Sequence, residues 1–329
     1  MYDTIRFMLK EQDLYNEVSF MEEIVCRIVI KSCSENRVVG HMKNMKVEVR
    51  GTILLVEGSL IKWFLGNNYA RTLALWEIRA AINSLSAALN VPLEKAKVTR
   101  IDIAFNFKVK NIPWLYMTKL LYHDYYFRSS IQKETLYFEK YDSILCFYDK
   151  VAELKKCKDR DADEALEDLG ELNVIRYEFR FLRVTNTLGV VRGECLYDSA
   201  FCLSLLGKWY GHYMDIKKGY DEDFSMFRFE TKKGFELSCV AYCMNRLNMF
   251  EMLEEAYVRR DISSKNKYDI KQVMEMAGKI LADNIKTTSL IEELTGKISN
   301  AYLNLKRRYS VVPERMNFLN KWTEDRLNC

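Results

Sequence analysis

The sequence predicts an α+β fold: a mostly antiparallel sheet with helices on one face, followed by a mainly helical C-terminal domain. Three observations lead there. Short segments rich in Val, Ile, Phe and Tyr, alternating with period two, recur through the first half. Beyond residue 183 this pattern gives out and helical periodicity replaces it. Thirteen Gly and three Pro are few breakers for 329 residues, which favours long uninterrupted elements.

In chain order the strand candidates are 2–8, 23–31, 45–51, 52–57, 98–109, 135–139, 143–150 and 174–183. A helix is predicted over 69–89, where Leu73, Trp76, Ala80, Asn83 and Ala87 share a face, Leu75, Ile78, Ile82 and Leu85 widen it, and Pro92 follows its end. A second helix should begin near Asn111, with Pro113 tolerated in its first turn. The acid-rich stretch 159–171 reads as a solvated connection that a polyanion would avoid. Helices are then expected over 196–213, 235–257, 269–283 and 290–309, the last ending in Lys306, Arg307 and Arg308. The best boundary lies near residue 190, dividing 1–190 from 191–329.

Composition bounds the function. Hydrophobic residues at 49% and charged residues at 29% fit a soluble globular chain and exclude wholesale disorder. A formal charge of +4 is too mild to name a partner, although it permits a locally basic groove. Nine Cys with no CxxC pair read as reduced thiols in a cytoplasmic protein, and Cys239 and Cys243 as core packing. No apolar run approaches the roughly 18 residues of a membrane span, and the first ten residues carry no secretory pattern. Neither GxxxxGK[ST] nor GxGxxG occurs, so no nucleotide cofactor is expected. His41, His123 and His212 lie far apart in sequence and never form His-x-His, which argues against zinc hydrolases and His relays.

Acids and tyrosines remain. Along 98–107, alternation puts Thr99, Ile101, Ile103, Phe105 and Phe107 on one face and Arg100, Asp102 and Asn106 on the other. Along 175–182, Ile175, Tyr177, Phe179 and Phe181 oppose Arg176, Glu178 and Arg180. If both strands share a sheet, Asp102 and Glu178 can converge on a hard cation such as Mg²⁺ or Mn²⁺; ordinary ion pairs on a solvent face would give the same pattern. In 143–150, alternation puts Tyr148 and Lys150 on one side, with Glu153 just beyond. A tyrosine has an ordinary pKa near 10 and needs a cation or ammonium beside it to act as a nucleophile. A purely structural tyrosine is the competing reading.

Taken together, these segments resemble the filamentous-phage gene II and gene X replication proteins and related phage and plasmid rolling-circle initiators. The resemblance is carried by the opening Met-Tyr-Asp-Thr-Ile-Arg-Phe-Met-Leu, by Thr-Arg-Ile-Asp-Ile-Ala-Phe at 99–105, by Ile-Leu-Cys-Phe-Tyr-Asp-Lys-Val-Ala-Glu at 144–153, and by Ile-Arg-Tyr-Glu-Phe-Arg at 175–180. Gly58-Ser59 and Gly66-Asn67-Asn68 echo it more weakly. It spans about residues 1–190 and implies an origin-specific nicking and closing endonuclease domain there; the helical part, 191–329, lies outside the resemblance and is expected to contact DNA or partners. In such enzymes a tyrosine attacks a phosphodiester, keeps the 5′ phosphate and frees a 3′ hydroxyl.

The resemblance puts Tyr148 at the nucleophile, Lys150 and Glu153 at helper positions, and Asp102 and Glu178 at the metal. Arg100, Arg176, Arg180, Asn67 and Asn68 would then meet DNA. The implied cofactor is Mg²⁺ or Mn²⁺. Implied partners are single- and double-stranded origin DNA, with a host helicase and polymerase, in the bacterial cytoplasm. Tyr122, Tyr125 and Tyr126 would either stack on unpaired bases or pack, and Lys306–Arg308 would either contact duplex or lie solvated. A non-catalytic DNA- or RNA-binding protein on the same open sheet is the alternative, with a water-activating metal nuclease behind it.

Overall fold

A computed structural model describes residues 1–14, 19–69, 71–156, 167, 172–219, 227–283 and 289–310. Its strands are β1 (Tyr2–Lys10), β2 (Val29–Ser34), β3 (Arg37–Met42), β4 (Met45–Arg50), β5 (Ile53–Ser59), β6 (Lys97–Val109), β7 (Leu120–Tyr122), β8 (Phe127–Ile131), β9 (Thr135–Lys140), β10 (Ser143–Asp149), β11 (Asn173–Phe181) and β12 (Lys217–Lys218). Ten of them form a central sheet in the order β2-β3-β4-β5-β1-β6-β11-β10-β9-β8, with every neighbouring pair antiparallel. The short pair β7 and β12 lies apart.

Eleven helices of the described residues follow the chain: α1 (Phe20–Val25), α2 (Leu60–Leu65), α3 (Leu75–Leu89), α4 (Pro113–Thr118), α5 (Lys150–Lys156), α6 (Val184–Leu188), α7 (Ser199–Asp215), α8 (Lys232–Arg246), α9 (Met249–Val258), α10 (Ser264–Asp283) and α11 (Ser289–Ser310). The α+β expectation holds, with helices covering one sheet face.

That covered face is the apolar register of the central strands. Ile101 and Ile103 on β6 and Ile175, Tyr177, Phe179 and Phe181 on β11 are all buried. Trp209 of α7 lands on them, 4.8 Å from Phe105 and stacked at 5.0 Å on Tyr177, which donates a hydrogen bond to the Trp209 carbonyl. Large apolar side chains buried this way contribute roughly 1.5–3 kcal/mol each.

The change near residue 190 marks where strands give way to helices, not where the core ends. Trp209 and Tyr213 of α7, and Ile291, Leu294 and Ile298 of α11, belong to the same core as β1 and β6. A smaller core joins Leu121 and Tyr122 to Ala241, Met244, Phe250, Leu253, Met274 and Ala277, on α8, α9 and α10.

Several local expectations need correction. The 23–31 strand is instead α1 followed by β2; Glu22 and Glu23 sit in the first helical turn, where the helix dipole favours acids. Strands β3, β7, β8 and β12 are additions to the expected set, with at most six residues each. The helix expected from 69 starts at Leu75, because the Glu77 carboxylate accepts the Ala74 N–H at 2.8 Å and fixes the entry there. The single helix over 235–257 is two, α8 and α9, separated where Leu247 turns extended (φ −113°, ψ 146°). Apart from residue 167, the acid-rich stretch lies outside the described residues.

Candidate active site

The strand order brings β6, β11 and β10 side by side, and with them the singled-out residues. Register pairs Asp102 with Arg180, Asn106 with Arg176, Arg176 with Tyr148 and Glu178 with Cys146. Because side chains alternate along each strand, Arg100, Asp102, Asn106, Arg176, Glu178, Arg180 and Tyr148 all occupy the face opposite the helices. The acids are not splayed to two sides of the sheet.

This face is not open everywhere. Asp102 and Arg176 are only 2% exposed and Glu178 3%. At one end, Tyr69 packs against Val151, Leu154 and Val174, so the segment after α2 and the helix α5 close over the strands. Gly66, at φ 83°, ends α2 in the left-handed conformation and turns the chain towards the site.

Glu178 is the hub. Its Oε1 accepts hydrogen bonds from the Tyr148 hydroxyl and Arg176 Nε, both at 2.7 Å, and its Oε2 accepts from Arg180 Nε at 2.8 Å. Arg180 Nη2 also pairs with Oε2 at 2.6 Å. Burial raises the affinity of Glu178 for a proton, but Arg176 and Arg180 outweigh it, so the carboxyl is held below its usual range. Arg176 in turn pairs with Asp3 at 2.8 Å and donates to the Asn106 side chain at 3.1 Å. Asp3 falls to about 2: burial opposes the shift, and Arg176, Asn68 and Ser59 overcome it.

Asp102 is clasped by Arg100 through both oxygens, at 2.9 and 2.6 Å. Burial nevertheless pushes its carboxyl up to about 6 against that pairing, and the negative charge of Glu178 adds to the rise. Arg100 also reaches Glu57 at 3.0 Å, and Glu57 pairs with Arg6 at 2.7 Å.

Tyr148 is half-buried. Burial raises its phenol well above the ordinary value; Arg176 opposes this, while Glu178 and Asp3 reinforce it. The phenol is thus protonated and hydrogen-bonded, with a carboxylate already at its proton.

The other expected residues divide. Lys150 is not on the strand with Tyr148: β10 ends at Asp149, whose carboxylate caps α5 by accepting the Val151 and Ala152 N–H groups at 3.0 Å each. Lys150 opens that helix, is buried, and pairs with Glu153 at 2.6 Å. The cation with the largest effect on Tyr148 is Arg176. Asn68 donates to Asp3 at 3.1 Å and its carbonyl accepts from Arg176 at 3.3 Å, so it builds the wall of the site. Asn67 receives the Tyr69 N–H at 3.4 Å.

Of the three tyrosines considered for stacking, Tyr122 and Tyr126 are buried and only Tyr125 is exposed. Lys306, Arg307 and Arg308 lie at the end of α11, where Arg307 and Arg308 belong to the helix's last turn.

Two participants have no signature in the sequence. Asp3 sits in the opening motif and Glu57 ends an alternating run, but neither is flanked by the Arg-x-acid pattern that marks β6 and β11. The histidines are a correction. His123 Nε2 and His212 Nδ1 meet at 3.5 Å although 89 residues separate them. With Asp215 they form a group of possible metal ligands within 4.8 Å of one another. The Tyr125 N–H, however, donates to His123 Nδ1 at 3.2 Å, which leaves Nε2 to carry the proton and donate towards His212.

One protein-family model, that of the N-terminal region of the gene II replication-associated protein, matches residues 1–189. The chain belongs to this family. The match covers all of β1 to β11 and thus every residue of the Glu178 network. Among curated proteins and among solved structures, none matches. The chain is therefore a phage-type replication protein that works on DNA at an origin. No helix among the described residues is long and apolar enough to cross a membrane.

Proposed function

We propose that the protein initiates rolling-circle replication by nicking and rejoining one strand of origin DNA through a 5′-phosphotyrosine on Tyr148. The observation that carries this reading is the Tyr148 hydroxyl, half-buried on the polar sheet face and hydrogen-bonded to Glu178, whose carboxylate also holds Arg176 and Arg180.

In this reading Arg100, Arg176 and Arg180 draw the scissile phosphate and its neighbours onto the face. The Tyr148 oxygen attacks phosphorus as its proton passes to Glu178. The bond from phosphorus to the 3′ oxygen breaks, and Lys150, held by Glu153, protonates the departing oxygen. Rejoining reverses these transfers. The energy of the cleaved bond stays in the phosphotyrosine, so no nucleotide is consumed.

Asp102 and Glu178 suit Mg²⁺ or Mn²⁺ in kind, since both are buried carboxylates on one face and the charge of Glu178 weighs on Asp102. Arg100, Arg176 and Arg180 are their present counter-ions, and these would turn to phosphates where the carboxylates hold a cation. Such an ion supplies Lewis-acid polarisation of a phosphoryl oxygen. The helices beyond residue 190 would contact duplex or host helicase and polymerase.

The test is incubation with supercoiled origin DNA and Mg²⁺ or Mn²⁺. Nicked circles carrying protein on the 5′ end are expected, with mass spectrometry placing the nucleotide on Tyr148. Tyr148→Phe should abolish the adduct and leave binding within about twofold. Normal cleavage by that variant would transfer the chemistry to water, and DNA retardation without cleavage under either ion would leave a binding protein.

A further inference from the structure

The far edge of the same sheet carries a second basic feature. Residues 27–50 hold six cations, Arg27, Lys31, Arg37, Lys43, Lys46 and Arg50, against two acids, Glu35 and Glu48. This excess matches the formal charge of the whole chain, +4, so the remaining residues cancel one another. Arg27 precedes β2 and pairs with Glu23 at 3.2 Å, so β2, β3, β4 and their turns carry five cations against the same two acids, a basic edge.

Three of these cations, Lys31, Lys43 and Lys46, line a groove together with His41 and Asn44. Lys31, Lys43 and Lys46 are exposed. Among the described residues Lys31 and Lys43 make no ion pair, and Lys46 reaches only the distant oxygen of Glu48, at 3.9 Å. That carboxylate is already taken by Arg50 at 2.6 Å and Arg37 at 2.7 Å. His41 has a buried Nδ1 without a hydrogen-bond partner among the described residues. Lys43 lies over the Trp63 ring at 4.7 Å, which holds its ammonium at the rim.

The groove lies on the same side of the sheet as Tyr148. Register runs His41 to Lys46, Lys46 to Glu57, Glu57 to Arg6 and Arg6 to Arg100, a single row ending at the nicking face. Five strand spacings and about six residues along β6 separate Lys46 from Tyr148, roughly 30 Å in all.

We propose that this edge binds the phosphate backbone of duplex DNA about nine base pairs from the nick, taking roughly 3.4 Å per pair. The inference rests on the proposed nicking function. Duplex is favoured over single strand because the groove offers cations and no exposed aromatic platform on which unpaired bases stack. It would fix the distance between bound duplex and attacked phosphate, and leave base reading to other contacts.

The test compares wild type with Lys31→Gln/Lys43→Gln/Lys46→Gln. All three positions are exposed, so the fold should be retained, as circular dichroism would verify. Anisotropy titration of a 30-base-pair origin duplex at several salt concentrations should show at least a tenfold loss of affinity at about 0.1 M salt. The slope of log affinity against log salt should shrink by about 2.7, or roughly 0.9 for each phosphate no longer neutralised. Covalent adduct formation on a single-stranded oligonucleotide spanning the nick should be unchanged. Unaltered duplex affinity and salt slope in a variant that still forms the adduct would overturn this proposal alone. Equal losses on duplex and single strand would also overturn it, by removing the division of labour. A wild type that binds neither DNA would overturn the nicking function and this inference with it.

Discussion

At the centre of the sheet the two faces are buried alike but lined by opposite chemistry. On one, Phe179 and Tyr177 meet Trp209 and its neighbours in ordinary close packing. On the other, Arg176, Glu178 and Asp102 are as deeply enclosed, and yet every one is charged or ionisable. Apolar burial stabilises without further condition, whereas a buried ion network must recover its desolvation cost from geometry. Replacing such a network by hydrocarbon is often neutral or stabilising, so stability alone does not explain it. Burial therefore does not distinguish the core from the candidate site in this molecule; the identity of the buried groups does.

The hardest blow to this contrast is Glu178→Gln. It removes the shared counter-ion of Arg176 and Arg180 and the acceptor of the Tyr148 proton. Adduct formation should fall by at least about a hundredfold, and stability by about 3–5 kcal/mol as buried guanidiniums lose their partner. A variant with wild-type stability in urea unfolding and normal cleavage would show that the polar face is inert.

On the apolar face, Phe179→Ala should cost about 3–4 kcal/mol, and should leave the rate of adduct formation per folded molecule within a few fold at low temperature. Urea unfolding and a single-turnover assay separate the two quantities. A large loss of rate with unchanged stability would reverse the roles assigned to the faces.

The smallest expected effect lies at the rim of the apolar face, where Phe179 lies 4.8 Å from His212. Burial, then the neighbouring His212, lowers His123 from 6.5 to about 4, while Asp215 and Asp124 pull the other way and Lys217 adds to the lowering. The folded chain keeps this ring neutral where the unfolded chain takes up a proton, so stability is lost as pH falls from about 6.5 through 4. The contribution is about 2 kcal/mol, visible as a steeper decline in melting temperature for wild type than for His123→Gln. Parallel declines would remove His123 as the cause.

Much of this is legible in the sequence because strand alternation is rigid. Once Asp102 and Glu178 are placed on strands, the faces of Arg100, Arg176 and Arg180 follow, and β10 adds Tyr148. What alternation does not reach is whatever depends on long-range closure. Pairing of Arg176 with Asp3, and of Arg100 with Glu57, requires β1 to enter between β5 and β6, which no local pattern encodes. The meeting of His123 and His212 depends on how α7 lies against β7 and its turn. Alternation assigns Lys150 to the strand because Asp149 looks like one more strand residue; its capping of α5 is visible only once the helix is there.

The docking of α7 and α11 on the strands of the first half also has a temporal side. The sheet's apolar layer is finished only by side chains as late as Tyr309. A ribosome adding about 5–20 residues per second takes roughly 6–24 s to make the last 120 or so of them. Until α11 is made, the part of the nascent sheet that Ile291, Leu294 and Ile298 will cover keeps its apolar side in water.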